Sequence, residues 1–299
     1  MIQAHLGEFS ALLTACFWVI SGVFFEKASK RTSSLAVAYL RIIFAFILIS
    51  LLLWVMRGKP LPTDATPSAW LWLSLSGLVG FVIGDIFLFE AYVSIGARIS
   101  LLLMSFSPVI TGLLSYFIFG EVLQPLAIVG IVLTLAGIAV VVLTKGDHNN
   151  LKLRVDSYGV LCGVMGAVGQ SVGTILSKQG MGNYDAFAAT QIRIIASILG
   201  FTLFFFIGKH WQKLATLLKD THASLQTAAG AVFGTTLGVG FSLLAIQHTQ
   251  AAVAAAIMSI MPVLIIPVNW LVLKEKIKWI EMLGALVTVV GVILLYLKP

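Results

Sequence analysis

Long apolar runs alternate with short polar knots along almost the whole chain. A run of roughly 17–25 apolar residues is the length an α-helix needs to cross a bilayer. Ten such runs can be read, at about 8–26, 35–56, 70–93, 98–119, 126–144, 157–177, 187–207, 224–246, 251–273 and 279–297. Several connections are very short, such as Gly96-Ala97 between runs three and four and Gln124-Pro125 between four and five. Successive helices must then be antiparallel neighbours. The longest polar connector, Lys145 to Asp156, separates five runs from five. The pattern predicts an all-α membrane protein with ten transmembrane helices.

The second five runs repeat the first. Met104–Glu121 reads MSFSPVITGLLSYFIFGE and Met258–Glu275 reads MSIMPVLIIPVNWLVLKE, an offset of 154 residues. The same offset pairs Gly80/Gly234, Gly84/Gly238, Pro108/Pro262, Glu121/Glu275, Gly130/Gly284, Thr134/Thr288 and Gly137/Gly291. Near the start of each half the offset is 152, pairing Arg41-Ile42 with Arg193-Ile194. The expected division is a first repeat at 1–145, a connector at 146–156 and a second repeat at 157–299. Five spans is an odd number, so the second repeat enters the membrane from the side opposite to the first. The halves are then inverted, related by a pseudo-two-fold axis in the membrane plane. Inverted duplication in a membrane protein points to transport.

Composition agrees. With 59% apolar residues, 10% charged residues and a mean hydropathy of +1.03, there is too little polar surface for a water-soluble globule. The net charge of +7 is scattered singly among the knots, which is no nucleic-acid footprint. Most of it falls after runs one, three, five, seven and nine, from Lys27, Lys30 and Arg31 to Lys274, Lys276 and Lys278. The other side carries Arg57, Lys59, Lys178 and Lys298. The bias places the first set in the cytoplasm and both termini outside. Glu8 stands where a secretory leader is basic, so the first run is expected to be a retained helix. Cys16 and Cys162 lie within apolar runs without metal-type spacing.

The pattern around Pro108 and Pro262, closing on Glu121 and Glu275 and followed by Gly130…Gly137 and Gly284…Gly291, resembles the drug/metabolite transporter superfamily. More narrowly, it is similar to the EamA type, in which each five-helix half is one repeat. Arg41 and Arg193 fit that pattern too. The resemblance covers about Glu8 to Leu297. It implies a ten-helix secondary transporter of the inner membrane, commonly an exporter of amino acids, other metabolites or toxic compounds. It does not imply a particular solute.

Polar residues inside apolar spans carry the candidate chemistry, because each is costly there. Asp85 and Glu90 both lie in span three, and their repeat positions are Val239 and Leu244. Five residues apart, they stand about 140° apart around a helix and do not face one cavity together. Asp85, the deeper, is a candidate proton or cation site, or else a structural partner for Arg41, Arg98 or a hydroxyl. Arg41 and Arg193 either neutralise a carboxylate or helix-end carbonyls, or recognise an anionic group of a substrate. Gln170, Gln191 and Asn269 add uncharged donors and acceptors, and Trp18 and Tyr92 offer rings for stacking. Pro108 and Pro262, mid-span, suggest paired kinks used in gating. Gly84 and Gly238, with the glycines around them and those of span six, suggest close helix contacts or tilting walls. Glu121 and Glu275 suit helix ends.

The histidines mostly fall in loops, and no metal, cofactor or hydrolase motif is present. The expected function is secondary transport of a small organic solute by alternating access, through a site at the junction of the halves lined by spans one, three, six and eight. Protons are candidate coupling ions, and the protein is expected to be a monomer or weak homodimer in the bilayer. A non-transporting membrane subunit or an intramembrane enzyme stands as the alternative.

Overall fold

A computed structural model of the protein describes residues 6–119, 125–144, 156–248, 254, 257–268 and 278–296. Its helices are α1 Leu6–Arg31, α2 Ser34–Arg57, α3 Pro67–Ser94, α4 Gly96–Met104, α5 Ser107–Phe119 and α6 Pro125–Thr144 in the first half. The second half holds α7 Ser157–Met181, α8 Ala186–Gly208, α9 Trp211–Lys219, α10 Thr221–His248, α11 Met261–Val268 and α12 Trp279–Tyr296. Among the described residues there is no strand. Seven segments, α1, α2, α3, Gly96–Leu114, α7, α8 and α10, are long and apolar enough to cross a membrane. The apolar helices α6, α11 and α12 belong to the remaining three spans of two five-helix repeats.

Local chemistry sets the helix ends. Thr66 accepts the Ala69 amide at 3.2 Å ahead of Pro67, starting α3. Asp156, Asp185 and Asp220 do the same for α7, α8 and α10, accepting amides of Gly159, Ala188 and Ala223. Gly58, at φ 68°, closes α2 by turning its amide back to the Trp54 carbonyl.

The packing has two-fold character. α1 lies against α10, and its repeat counterpart α7 lies against α3. α2 packs on α8 and α6 on α12, each helix against its own counterpart. The repeated glycines and threonine explain the last pair. A Cβ on Gly137 would lie 2.6 Å from the Gly284 carbonyl oxygen, and one on Gly291 would lie 2.7 Å from the Gly130 carbonyl oxygen. Thr134 and Thr288 each turn their hydroxyl to the carbonyl four residues back, at 2.8 and 2.9 Å, so neither hydroxyl is left bare between the helices. In the other tight pair, Cβ atoms on Gly169 and Gly173 of α7 would stand 2.6 and 3.0 Å from the Cα atoms of Gly84 and Gly80 of α3. Backbones touch there, which a bilayer permits only where side chains are small.

Three features depart from expectation. Pro108 and Pro262 do not kink continuous helices. Span four breaks at Ser105-Phe106, and span nine turns at the equivalent Ser259-Ile260. Each proline stands at the second position of the half-helix that follows, where its missing amide has no intrahelical partner to lose. The third span of each repeat carries a π-helical stretch, Gly77–Gly84 and Ala231–Gly238, again 154 residues apart. The basic stretch between α8 and α10 folds as α9, burying Leu214 and Leu217 and leaving Lys213 and Lys219 exposed.

Candidate functional site

The π-helical stretches, the broken helices and the middles of α1, α2 and α7 surround one central cavity of about 160 Å³. Its walls are mostly apolar and aromatic, lined by Trp18, Phe25, Phe81, Phe89 and Tyr92 together with Leu101, Met104, Met258 and Met261. Polar groups enter at few points: Arg41, Asp85, Gln170, Ser21, Thr111, Thr174 and the serines of the helix breaks, Ser105, Ser107 and Ser259.

Asp85 begins the regular α-helix that follows the π stretch of α3. A π turn adds a residue to the helix circumference, and such turns recur at functional sites. Asp85 is 3% exposed and forms a salt bridge with Arg41, itself 4% exposed. Gln170 of α7 donates its amide to Asp85 Oδ1 at 3.1 Å and to the Gly80 carbonyl at 3.2 Å. The second acceptor is one of the carbonyls around the π stretch. On its other side Arg41 Nη1 donates to Thr235 Oγ1 at 2.6 Å, in the π stretch of the opposite repeat. The guanidinium carbon lies 5.1–5.7 Å from the ring centroids of Phe25, Phe81 and Phe89. The ion pair joins α2 to α3 within the first repeat, and its hydrogen bonds to Gln170 of α7 and Thr235 of α10 cross to the second.

Arg193 is 4% exposed and stacks on Phe81, its guanidinium carbon 4.2 Å from the ring centroid. It stands behind the wall rather than in it, since Phe81 faces the cavity and Arg193 does not line it. Trp18, Tyr92 and Pro108 line the cavity along with Arg41, Asp85 and Gln170. Gly238 receives Trp18, because a Cβ there would come within 2.7 Å of the indole. Gly84 instead belongs to the α3–α7 contact, and Pro262 is buried beside Met261. Glu90 is outside the cavity lining and accepts a 2.7 Å hydrogen bond from Ser34. Asn269, Glu121 and Glu275 lie outside the described residues. The lining extends beyond spans one, three, six and eight to α2, α4, α5, α11 and the turns before α5 and α11.

Sequence reasoning passed over Glu26, Phe81 and Thr235. Glu26 is buried near the end of α1, where its carboxylate accepts the Ala97 amide at 2.9 Å and pairs with Lys30 at 2.5 Å. It caps the first turn of α4, a favourable place for a negative charge. An acid at the end of an apolar run was the available signal. Two further ties join the halves at opposite ends. On one face Asp64 accepts from Arg57 and from the Tyr184 hydroxyl, both at 2.7 Å. On the other, Arg31 at the end of α1 meets Asp220 at the start of α10. Among the described residues no cluster of side chains fits a metal ion.

The EamA-like transporter family model matches residues 5–143 and again 157–297. The chain belongs to the EamA-like transporter family. Two curated relatives support the assignment. The uncharacterized transporter sll0355 of Synechocystis sp. is 23% identical over 93% of this chain and 86% of its own. The uncharacterized transporter YetK of Bacillus subtilis is 22% identical over 100% of this chain and 89% of its own. A solved crystal structure matches 97% of this EamA-like chain and 95% of its own, with a TM-score of 0.61 at 16% identity, which shows a shared fold.

Proposed function

We propose that this EamA-like protein is a secondary transporter of the cell's inner membrane that exports small organic solutes by alternating access. The observation that carries the reading is the Arg41–Asp85 pair, the one ion pair with both partners buried among the described residues, set in an aromatic cavity between inverted repeats. A solute with an anionic and a cationic group can take over both partners, its anion on Arg41 and its cation on Asp85. The apolar body then lies against Trp18, Phe25, Phe89 and Tyr92. Opening the pair without such a replacement leaves buried charges bare, which costs several kcal/mol (about 3–5). The empty transporter therefore keeps the pair closed, and the loaded one is free to rearrange.

Residues 1–145 and 157–299 act as the two moving repeats, with 146–156 as the connector. The direct backbone contacts of α3 with α7 form the seam about which they move, and the ties at Asp64–Tyr184 and Arg31–Asp220 open on alternate faces. A proton on Asp85 competes with the solute's cationic group, so the coupling it supports is antiport. Export of amino acids, other metabolites or drugs is the direction and range that family membership favours. The test is a solute-accumulation screen in cells that express or lack the protein. Expression lowers the internal level of specific solutes, and Asp85→Asn loses that effect at equal membrane abundance. Unchanged levels of every solute would favour the non-transporting subunit instead.

A further inference from the structure

The two repeats place their arginines alike but, among the described residues, supply one counter-ion between them. Arg41 of α2 donates to Thr235, and Arg193 of α8 stacks on Phe81. Thr235 and Phe81 are repeat counterparts, 154 residues apart. So each arginine reaches the same position of the π stretch in the other repeat. The acid does not follow this symmetry: Asp85 faces Arg41, while its counterpart Val239 is apolar and lines the cavity. Among the described residues no carboxylate pairs with Arg193, and its Nε has no hydrogen-bond partner. Two other acids of the first repeat are engaged elsewhere: buried Glu26 with Lys30 and the Ala97 amide, and half-buried Glu90 with Ser34. A guanidinium does not shed its proton to escape burial. Among the described residues, the Arg41, Asp85 and Arg193 group thus holds two positive charges and one negative.

We propose that Arg193 is a specificity-determining residue that makes the central site favour organic solutes of net negative charge, which carry a further acidic group besides the anion and cation that replace the Arg41–Asp85 pair. It acts through its field rather than by contact, and is a positioning residue in that sense. The proposal rests on the reading of the Arg41–Asp85 cavity as the substrate site. Phe81 is the only layer it needs to act through, since the ring touches the cavity on one side and carries Arg193 4.2 Å from its centroid. A carboxylate against that ring is about 8 Å from the charge, with the ring itself between them. At an effective dielectric constant near 20, such a separation is worth about ten- to thirtyfold in a binding constant. The field favours an anion, disfavours a cation by the same factor, and nearly cancels for a zwitterion.

The test uses three probes with one body and different charge: phenylacetate, phenylalanine and phenethylamine, titrated calorimetrically into the purified full chain in detergent. Arg193→Gln should weaken phenylacetate about ten- to thirtyfold, strengthen phenethylamine and leave phenylalanine within about threefold. Val239→Asp, which puts the missing acid in the second repeat, should change the probes in the same directions. It should also raise the thermal midpoint, because a bare buried guanidinium gains a partner, and so it serves if Arg193→Gln fails to fold. Equal effects on all three probes, or a lowered midpoint in Val239→Asp with phenylacetate binding intact, overturn the proposal. Arg41→Gln separates the two readings. If it alters binding while Arg193→Gln and Val239→Asp do not, only this inference falls; if binding ignores Arg41→Gln, or no probe binds the wild type, the placement of the site falls too.

Discussion

Replacing Asp85 with Asn is the sharpest perturbation of the buried pair. The shapes match, and an amide still meets the Gln170 side chain that lies 3.1 Å from Oδ1. What is lost is the charge facing Arg41. Both groups are under 5% exposed, so no solvent screens the change. Arg41 keeps the Thr235 hydroxyl and three phenyl rings. A cation–π contact is worth roughly 0.5–2 kcal/mol, and these are already present in the wild type, so they do not offset the loss. Removing one partner of a buried pair costs about 3–5 kcal/mol, chiefly because the other charge stays buried alone. Arg41→Gln together with Asp85→Asn removes both charges and should recover most of that, giving a coupling of at least about 2 kcal/mol. The assay is a double-mutant cycle on unfolding in mixed micelles, with membrane abundance as a second reading. An Asp85→Asn protein within about 0.5 kcal/mol of the wild type, or strictly additive single variants, would refute the pair as a structural and electrostatic unit.

Other expectations follow from the contacts. Gly169→Leu should abolish stable folding or cost at least about 3 kcal/mol, since even a Cβ there lies 2.6 Å from Gly84 Cα; wild-type melting would show that α3 and α7 do not touch. A cysteine at Asn183 should react with an impermeant maleimide in sealed cells and one at Lys213 should not; the reverse pattern inverts the topology. The Asp64 carboxyl is held below its ordinary value of 3.8, first by the Tyr184 hydroxyl, and Asp220 likewise, first by the Ala223 amide. With folded values lowered, both ties are complete above the ordinary carboxylate range and are lost as pH falls through the lower folded values. Spin labels at Thr63 and Asn183 should keep one separation from pH 8 to 5 and spread only in stronger acid, while Tyr184→Phe moves the spreading to higher pH.

Much of this was legible in the chain because duplication constrains it twice. Gly130, Thr134, Gly137 and their counterparts were visible as a repeat, and their packing across α6 and α12 is what the repetition serves. Asp85 was legible because a charge in an apolar run has to be used or paired. Its partner was not, since Arg41 and Arg98 were both within imagination and only the packing of α2 on α3 chooses. The prolines misled for a physical reason: a proline inside an apolar run is consistent with either a kink or a fresh helix start. The preceding Ser105-Phe106 and Ser259-Ile260 carry no strong breaker. The π stretches run through paired glycines, Gly80/Gly234 and Gly84/Gly238, but nothing in their periodicity sets them apart from ordinary apolar helix. Phe81 looked like any apolar residue until two arginines were found on its ring.

The most direct test of the central claim is release of solutes from proteoliposomes loaded with a metabolite extract, comparing wild type, Arg41→Gln and Asp85→Asn by mass spectrometry. A discrete set of small organic solutes should leave wild-type vesicles, and both variants should retain that set when release is compared per amount of folded protein reconstituted. Wild-type vesicles that hold their contents as firmly as protein-free ones, or variants that release the same set at the same rate, would contradict transport through the Arg41–Asp85 cavity.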